Sequence, residues 1–378
     1  LSKIDVANML TGLVPNDNTI RRPNAKPIII NGDMSVAQRS TSASSISTAG
    51  YHATDRFRYT NSTSAVVVTI SQETLSSGNA FLNGFHNALK LDCTTADTSI
   101  AADHLTALQY KIEAQDCTVF RKGTANAKKM TVAFWFKATK TGTYILQIGD
   151  SDNNRKISKS YSVSTTNTWE HKVLAFDIET SNAMNDDNGA GFVLTWWLVA
   201  GSTYSGGTLA TSWEATEFNS NSAVGQVNAF DSTDNNVHIT GIQAEVGEFS
   251  STTLPPFQFE DFGDNLKRCQ RYFLNYIEGN GKIVGIAASY NSSEVVLMHN
   301  FPTTMRSAPT LEISTGSSYY QHGEAGSIQA ITGSDISIDR ATLNGAQLLL
   351  TSMSANSGDG GFLYTGSSSS KISYTAEL

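Results

Sequence analysis

Charge is scarce in this sequence: Asp, Glu, Lys and Arg make up 16% of its 378 residues, and the balance is a formal net charge of −8. A nucleic-acid partner would need a basic stripe to displace phosphate counterions, so none is expected. Cysteine is scarcer. Cys93, Cys117 and Cys269 are an odd number with no close pair, which argues against a disulfide framework and a zinc knuckle and for buried thiols made in a reducing cytoplasm. No stretch of eighteen apolar residues occurs, so no membrane insertion is expected. The opening LSKIDVANML has no basic region followed by an apolar core, and the chain reads as soluble without a secretion signal. It has no initiator Met, as the ordered part of a longer polypeptide would not.

Catalytic motifs are missing too. The seven histidines form no HExxH and no paired ligand spacing, and no Gly-x-Ser-x-Gly stands between a strand and a helix. Glycoside hydrolysis needs two carboxylates facing each other across a cleft. Glu170, Asp177, Glu179, Glu214 and Glu217 are available, but isolated acids on alternating strands read as solvated faces. The expectation is a protein that is not an enzyme, with no cofactor and no metal. Two loops, SDNNRK and NAMNDDNGAG, carry oxygen ligands suited to calcium, yet neither has the ligand spacing of a calcium loop and both read as polar turns.

What is present is alternation. The length suits two domains. Ser, Thr, Asn, Gly and Ala surround a 39% hydrophobic content, as in β proteins with many short strands. Residues 1–26 have a sparse apolar pattern, Ile4, Val6, Leu10 and Leu13, followed by prolines 15, 23 and 27, and read as an N-terminal attachment arm. Residues 27–256 alternate with period two in about ten short segments, from IIING to NVHITGIQAEVG, and read as a jelly-roll β-sandwich. One helix is expected within it, over AADHLTALQ, with Asp103 near its start. Residues 257–276 form a connector whose short helix would place Phe262, Leu266, Cys269 and Phe273 on one face. Residues 277–378 hold six alternating segments and read as a second, smaller β-sandwich. The fold class is all-β, and no fixed repeat points to a solenoid or propeller.

Sugar rings stack on Trp and Tyr while their hydroxyls bond to Asn, Asp and Gln, so aromatic residues are the candidate glycan contacts. Trp135 points away from Phe134 and Phe136, and Trp196 and Trp197 point to opposite faces of one strand, so one of the pair leaves the core. Tyr51, Tyr204 and Trp213 stand beside Gly or Ser turns, and Tyr319 and Tyr320 lie in the polar stretch STGSSYYQHGEAG. The glycan-binding set is therefore Trp196, Trp197, Trp213, Tyr204, Tyr319 and Tyr320. Asp55 and Arg56 read as a structural pair at a strand edge.

The succession IIINGDMSVAQR, DRFRY, VAFWFKA, KTGTYILQI, LTWWLVAGS, ITGIQAEVG, DNLKRCQRYF and FPTTMRSAPTLE resembles bacteriophage tail-fibre and virion-surface proteins with a carbohydrate-binding-module-like jelly roll. CQRYF and MRSAP are its most specific parts. The resemblance implies a component of the virion surface, assembled in the host bacterial cytoplasm. It implies partners among other tail or capsid proteins, a homotrimeric state, and contact with host-surface glycan during adsorption. A purely structural capsid or tail decoration is the alternative. A polysaccharide depolymerase is less favoured, because the long β-helix of such fibres has no counterpart in the sequence. A concave, exposed row of aromatic residues would favour binding, and uniformly covered sheets would favour decoration.

Overall fold

The computed structural model describes residues 26–324 and 326–378, which fall into two compact units divided between Asp261 and Phe262. Ile4, Val6, Leu10 and Leu13 of the expected arm lie outside the described residues.

The first unit contains β1 (Ser42–Ile46), β2 (Gly50–Tyr51), β3 (Phe57–Ser62), β4 (Val67–Thr74), β5 (Asn87–Thr95), β6 (Leu105–Glu113), β7 (Met130–Ala138), β8 (Gly142–Asp150), β9 (Arg155–Val163), β10 (Glu170–Phe176), β11 (Ala190–Ala200), β12 (Glu214–Ala215) and β13 (Asn236–Val246). Two short helices, α1 (Gly78–Leu82) and α2 (Ser202–Ser205), interrupt them. The strands form a six-stranded sheet, β1-β4-β5-β13-β7-β10, and a seven-stranded sheet, β12-β9-β8-β11-β6-β3-β2. Their inner faces enclose one core in a jelly-roll sandwich.

Alternation explains most of it. In β7, Met130, Val132, Phe134, Phe136 and Ala138 enter the core while Thr131, Trp135 and Lys137 take the other face. The period breaks once, in β13, where the register shifts between Thr240 and Gln243 and both Ile239 and Ile242 reach the core. Gly241 makes the break possible: its φ is +62°, and a Cβ there would meet the Phe85 ring at 2.7 Å.

Two expected elements are different. IIING is a turn, not the first strand. Asn31 adopts φ 60° and its side chain bonds the backbone of Val36 (2.9 Å in both directions) and the Asp55 carbonyl (3.0 Å), so the segment closes on itself instead of joining a sheet. The helix expected over AADHLTALQ is absent. Its second half is the start of β6, which pairs with β3 on one side and β11 on the other, and two ladders outweigh a few residues of helical spacing.

The second unit begins with α3 (Phe262–Gln270), with Asp264 in its first turn and Lys267 and Arg268 in its last, as the helix dipole favours. Its buried side chains are Asn265 and Cys269; Phe262 is exposed, and Phe273 opens a strand instead of completing the helical face. After it come β14 (Phe273–Glu278), β15 (Ile283–Ser289), β16 (Val295–Asn300), β17 (Thr310–Ile313), β18 (Tyr320–Glu324), β19 (Ser327–Ile331), β20 (Ile336–Ala341), β21 (Gly345–Leu350), β22 (Gly360–Thr365) and β23 (Lys371–Thr375). A three-stranded sheet, β14-β23-β17, and a seven-stranded sheet, β19-β18-β22-β15-β16-β21-β20, share a second core. β14, β18, β19 and β22 are additional to the six expected strands. Among the described residues no helix is long and apolar enough to cross a membrane.

Candidate functional site

The seven-stranded sheet of the first unit turns a polar row outward. Register places Arg58 opposite Gln109, Gln109 opposite Thr195, Thr195 opposite Gln147, and Gln147 opposite Ser158, across five strands. Pleating sends all five to the face away from the core, because their neighbours Tyr59, Leu108, Leu194, Leu146 and Ile157 fill it. The row is hydrogen-bonded to itself. Arg58 Nη1 donates to Thr60 Oγ1 (2.8 Å) and Gln109 Oε1 (3.1 Å), Thr60 Oγ1 donates to Gln109 Oε1 (3.0 Å), and Gln109 Nε2 donates to Thr195 Oγ1 (3.4 Å). No described residue accepts from Nε or Nη2 of Arg58, or from Nε2 of Gln147. These donors are held in place by their neighbours and still have hydrogen bonds to give.

Half of this face is covered. The segment 201–227 folds back over β8, β9 and β11, where Trp197, Ile145 and Ala223 form a small apolar cluster joined by Tyr204 and Leu209. Ser158 Oγ donates to the Ser222 carbonyl (2.8 Å), and Lys156 Nζ donates to the Phe218 carbonyl (2.6 Å) and Ser222 Oγ (2.8 Å). Burial holds the Lys156 ammonium below the usual lysine range, with Glu214 opposing. The result is a step: a polar floor on β3 and β6, and beside it a wall footed on Trp197. The Trp197 indole donates to Gln147 Oε1 (3.0 Å), and the Tyr204 ring lies 5.3 Å from it. The wall thus fixes which amide atoms of Gln147 remain available.

The six aromatic residues singled out by sequence do not share one place. Trp197 and Tyr204 meet at the wall. Trp196 is fully buried on the other face of β11, edge-on to Phe134 at 5.7 Å, and cannot stack on a ligand. Tyr320 is likewise a core residue, its hydroxyl donating to the Lys371 carbonyl (2.8 Å), and Tyr319 packs half-buried against the same core. The reason is register: Tyr320 starts β18 with its ring inward, so STGSSYYQHGEAG is a loop only up to that residue. Trp213 caps the end of the first core beside Phe192 (6.1 Å) and donates to the Asp177 carbonyl (2.6 Å).

Solved structures were compared with this one. A tailspike protein 4 enzymatically active domain of bacteriophage CBA120 is similar over 58% of this chain and 21% of its own, at 12% identity and a TM-score of 0.30. The chain therefore spans about a fifth of that tailspike's length. A putative sugar binding protein from Bacteroides thetaiotaomicron is similar over 58% of this chain and all of its own, at 13% identity and a TM-score of 0.30. A family 11 carbohydrate-binding module from Clostridium thermocellum, in complex with a β-1,3-1,4-mixed-linked tetrasaccharide, is similar over 52% of this chain and 91% of its own, at 9% identity and a TM-score of 0.27. Likeness of this size bears on neither ligand nor activity. No family model matches the sequence, and no curated protein does.

The acidic residues serve elsewhere. The SDNNRK and NAMNDDNGAG loops come together around the ammonium of Lys122, which sits 2.7 Å from Asp150 Oδ2 and 3.3 Å from Glu179 Oε2 and donates to the carbonyl of Asn182. Arg155 grips Glu179 with two bonds, at 3.0 and 2.7 Å, and Trp213 lies 5.5 Å from the ammonium. Glu214 accepts from Asn221 at 3.1 Å. Burial pushes the Glu170 carboxyl up, but Lys172 and the amides of Thr165 and Ser164 outweigh it and hold the group below the usual range. Among the described residues no three His, Cys, Asp or Glu side chains converge as metal ligands would. Cys93, Cys117 and Cys269 are buried thiols, and burial pushes Cys93 up to about 11 and Cys117 up to about 12.

Proposed function

We propose that this protein binds glycan on the stepped face of the first unit, as a surface component of a phage virion that contacts the host during adsorption. The observation carrying the binding reading is the cross-strand row Arg58–Gln109–Thr195–Gln147. It is a pre-ordered line of guanidinium, amide and hydroxyl groups beside the wall of segment 201–227, at whose foot Trp197 is buried and Tyr204 half-buried. Hydroxyl-rich ligands need several fixed hydrogen bonds and some apolar contact at once, and pre-ordering lowers the entropy cost of forming them. The virion setting comes from the sequence resemblance, as do the tail or capsid partners. Self-association would suit a shallow site, since linked copies raise avidity by about 10² to 10⁴-fold without new contacts, and the homotrimer implied by the resemblance is one form of it.

We also read the protein as non-catalytic. A general acid at neutral pH needs a raised pKa, whereas Glu170 is held down and Glu179 is tied to two cations.

The test is affinity electrophoresis of the purified chain through gels containing surface polysaccharide from candidate bacterial hosts. The expected result is retardation that is lost in an Arg58→Ala, Gln147→Ala double variant that keeps the wild-type circular dichroism, with a small drop in melting temperature because Gln147→Ala leaves the Trp197 indole unpaired. Each charged or fixed hydrogen bond contributes about 1 to 3 kcal/mol, and every 1.4 kcal/mol is tenfold in affinity, so the loss is on the order of a hundredfold. Undiminished retardation of the double variant would move the site off this face. Release of oligosaccharide by the wild type would end the non-catalytic reading.

A further inference from the structure

The second unit has a surface of the opposite character. On the outer face of its seven-stranded sheet, register aligns Ile328 with Gly323, Gly323 with Phe362, and Phe362 with Ile286. Continuing the β15–β16 register from Ala287 opposite Leu297 sets Ile286 opposite Met298, and Met298 lies opposite Gln347. The large apolar members of this row are open: Ile328 is 70% exposed, Phe362 45%, Ile286 74% and Met298 76%. Ile283 is 63% exposed in the adjoining row, opposite Tyr364. Among the described residues no charged side chain points outward between β19 and β21, and the first charges met are Asp339 and Arg340 on β20.

Scattered exposed hydrophobics need no explanation, but a registered row across five strands does. Its four large side chains, with Ile283 of the adjoining row, expose on the order of 500 Å² of apolar surface, near the top of what a monomer leaves open. A stable interface needs about 800 Å² from each partner, more than this row alone exposes, so neighbours such as Ala288, Val296 and Tyr364 would have to join it.

We propose that this face binds a second copy of the same chain, sheet against sheet. The choice of partner follows from charge. The chain carries −8 overall, so two copies repel wherever acidic surfaces approach, and a charge-free face is where they can meet without that penalty. An anionic lipid surface or an acidic partner would be met through a cluster of basic residues around the patch, and only Lys282, just before β15, and Arg340, on β20, border it. The donors on this face, Gln321, Tyr364 and Gln347, stand in the adjoining row and at the end of this one, not within the apolar row. Two flat sheets stack about 10 Å apart with interdigitating side chains, as in a sandwich core, and Ile, Phe and Met suit that contact. This inference stands independently of glycan binding by the first unit.

The test uses the full chain. Sedimentation at micromolar concentration should give twice the chain mass, because a face that meets its own copy closes a two-fold pair and not the trimer of the resemblance, and an Ile286→Glu, Met298→Glu double variant should sediment as a monomer. Both positions are exposed, so the variant should keep the wild-type circular dichroism and melting behaviour of the second unit, apart from any loss due to dissociation. A chain lacking residues 1–25 should retain the wild-type number of copies per sedimenting particle. A monomeric wild type overturns the proposal. So does a double variant of unchanged mass, or assembly that disappears when residues 1–25 are removed and survives the two glutamates.

Discussion

Single buried polar groups set where this protein is sensitive. In the second core, His299 stacks on Tyr276 with centroids 4.2 Å apart and touches Tyr374 and Phe301, and neither ring nitrogen has a hydrogen-bond partner. Burial lowers its pKa to about 4 from an ordinary 6.5. The unfolded chain therefore takes up a proton at higher pH than the folded one. Stability tied to this residue is present above about 6.5 and declines as pH falls toward 4. Thermal melts at pH 7, 5.5 and 4 should show that decline, and His299→Phe should lessen it. His322, also lowered by burial, titrates in the same direction in the same unit, so the slope shrinks without vanishing. An unaltered slope would show that His299 carries none of it. Lys122 is the counterpart in the first unit. Lys122→Met leaves Asp150 and the Arg155-bound Glu179 without their shared cation, and breaking one side of a buried pair costs about 3 to 5 kcal/mol. The denaturation midpoint of the first unit should fall accordingly, with its folded spectrum intact.

At the scale of the element, β11 separates stability from binding in two adjacent residues. Trp196→Ala empties the inter-sheet core and should cost about 3 to 5 kcal/mol. Trp197→Phe keeps most of the packing but removes the indole donor that fixes Gln147. Glycan affinity should drop several-fold, as expected for one hydrogen bond of about 1 kcal/mol, while the melting temperature changes little. A matched loss of both would make Trp197 a packing residue only. The same strand shows what sequence discloses. GFVLTWWLVAG announces a strand, and the side-by-side tryptophans announce that one leaves the core, but not which. Elements with clean alternation, β7, β8, β10, β11 and β21, were legible. IIING was not, because Asn31 ties its backbone into a turn through a side chain. β18 and β22 were not, because Gly323, Gly360 and Gly361 interrupt the apolar period. The site was least legible. Arg58, Gln109, Thr195 and Gln147 come from four strands scattered over more than a hundred residues, and only register aligns them; no local motif joins them. Of the aromatic candidates, Trp197 and Tyr204 lie at the wall of the proposed site, and no candidate lies on its floor.

For the molecule as a whole, the two units present contrasting faces: hydrogen-bonding donors on the first, uncharged hydrocarbon on the second. Residues 1–26 are proposed as the attachment element. Removing 1–25 should leave a protein that folds and binds glycan but no longer enters particles, and normal incorporation would refute the assignment. The caged lysine has a wider consequence. Loops tied by a dissociable ion loosen when that ion is diluted or captured by a chelator. Here the tying charge is covalently part of the chain, so it is present at full occupancy from synthesis onward and cannot be washed out. EDTA should therefore leave the melting curve of the first unit where it is, and the geometry at that end of the sandwich should be indifferent to the hardness of the water around it.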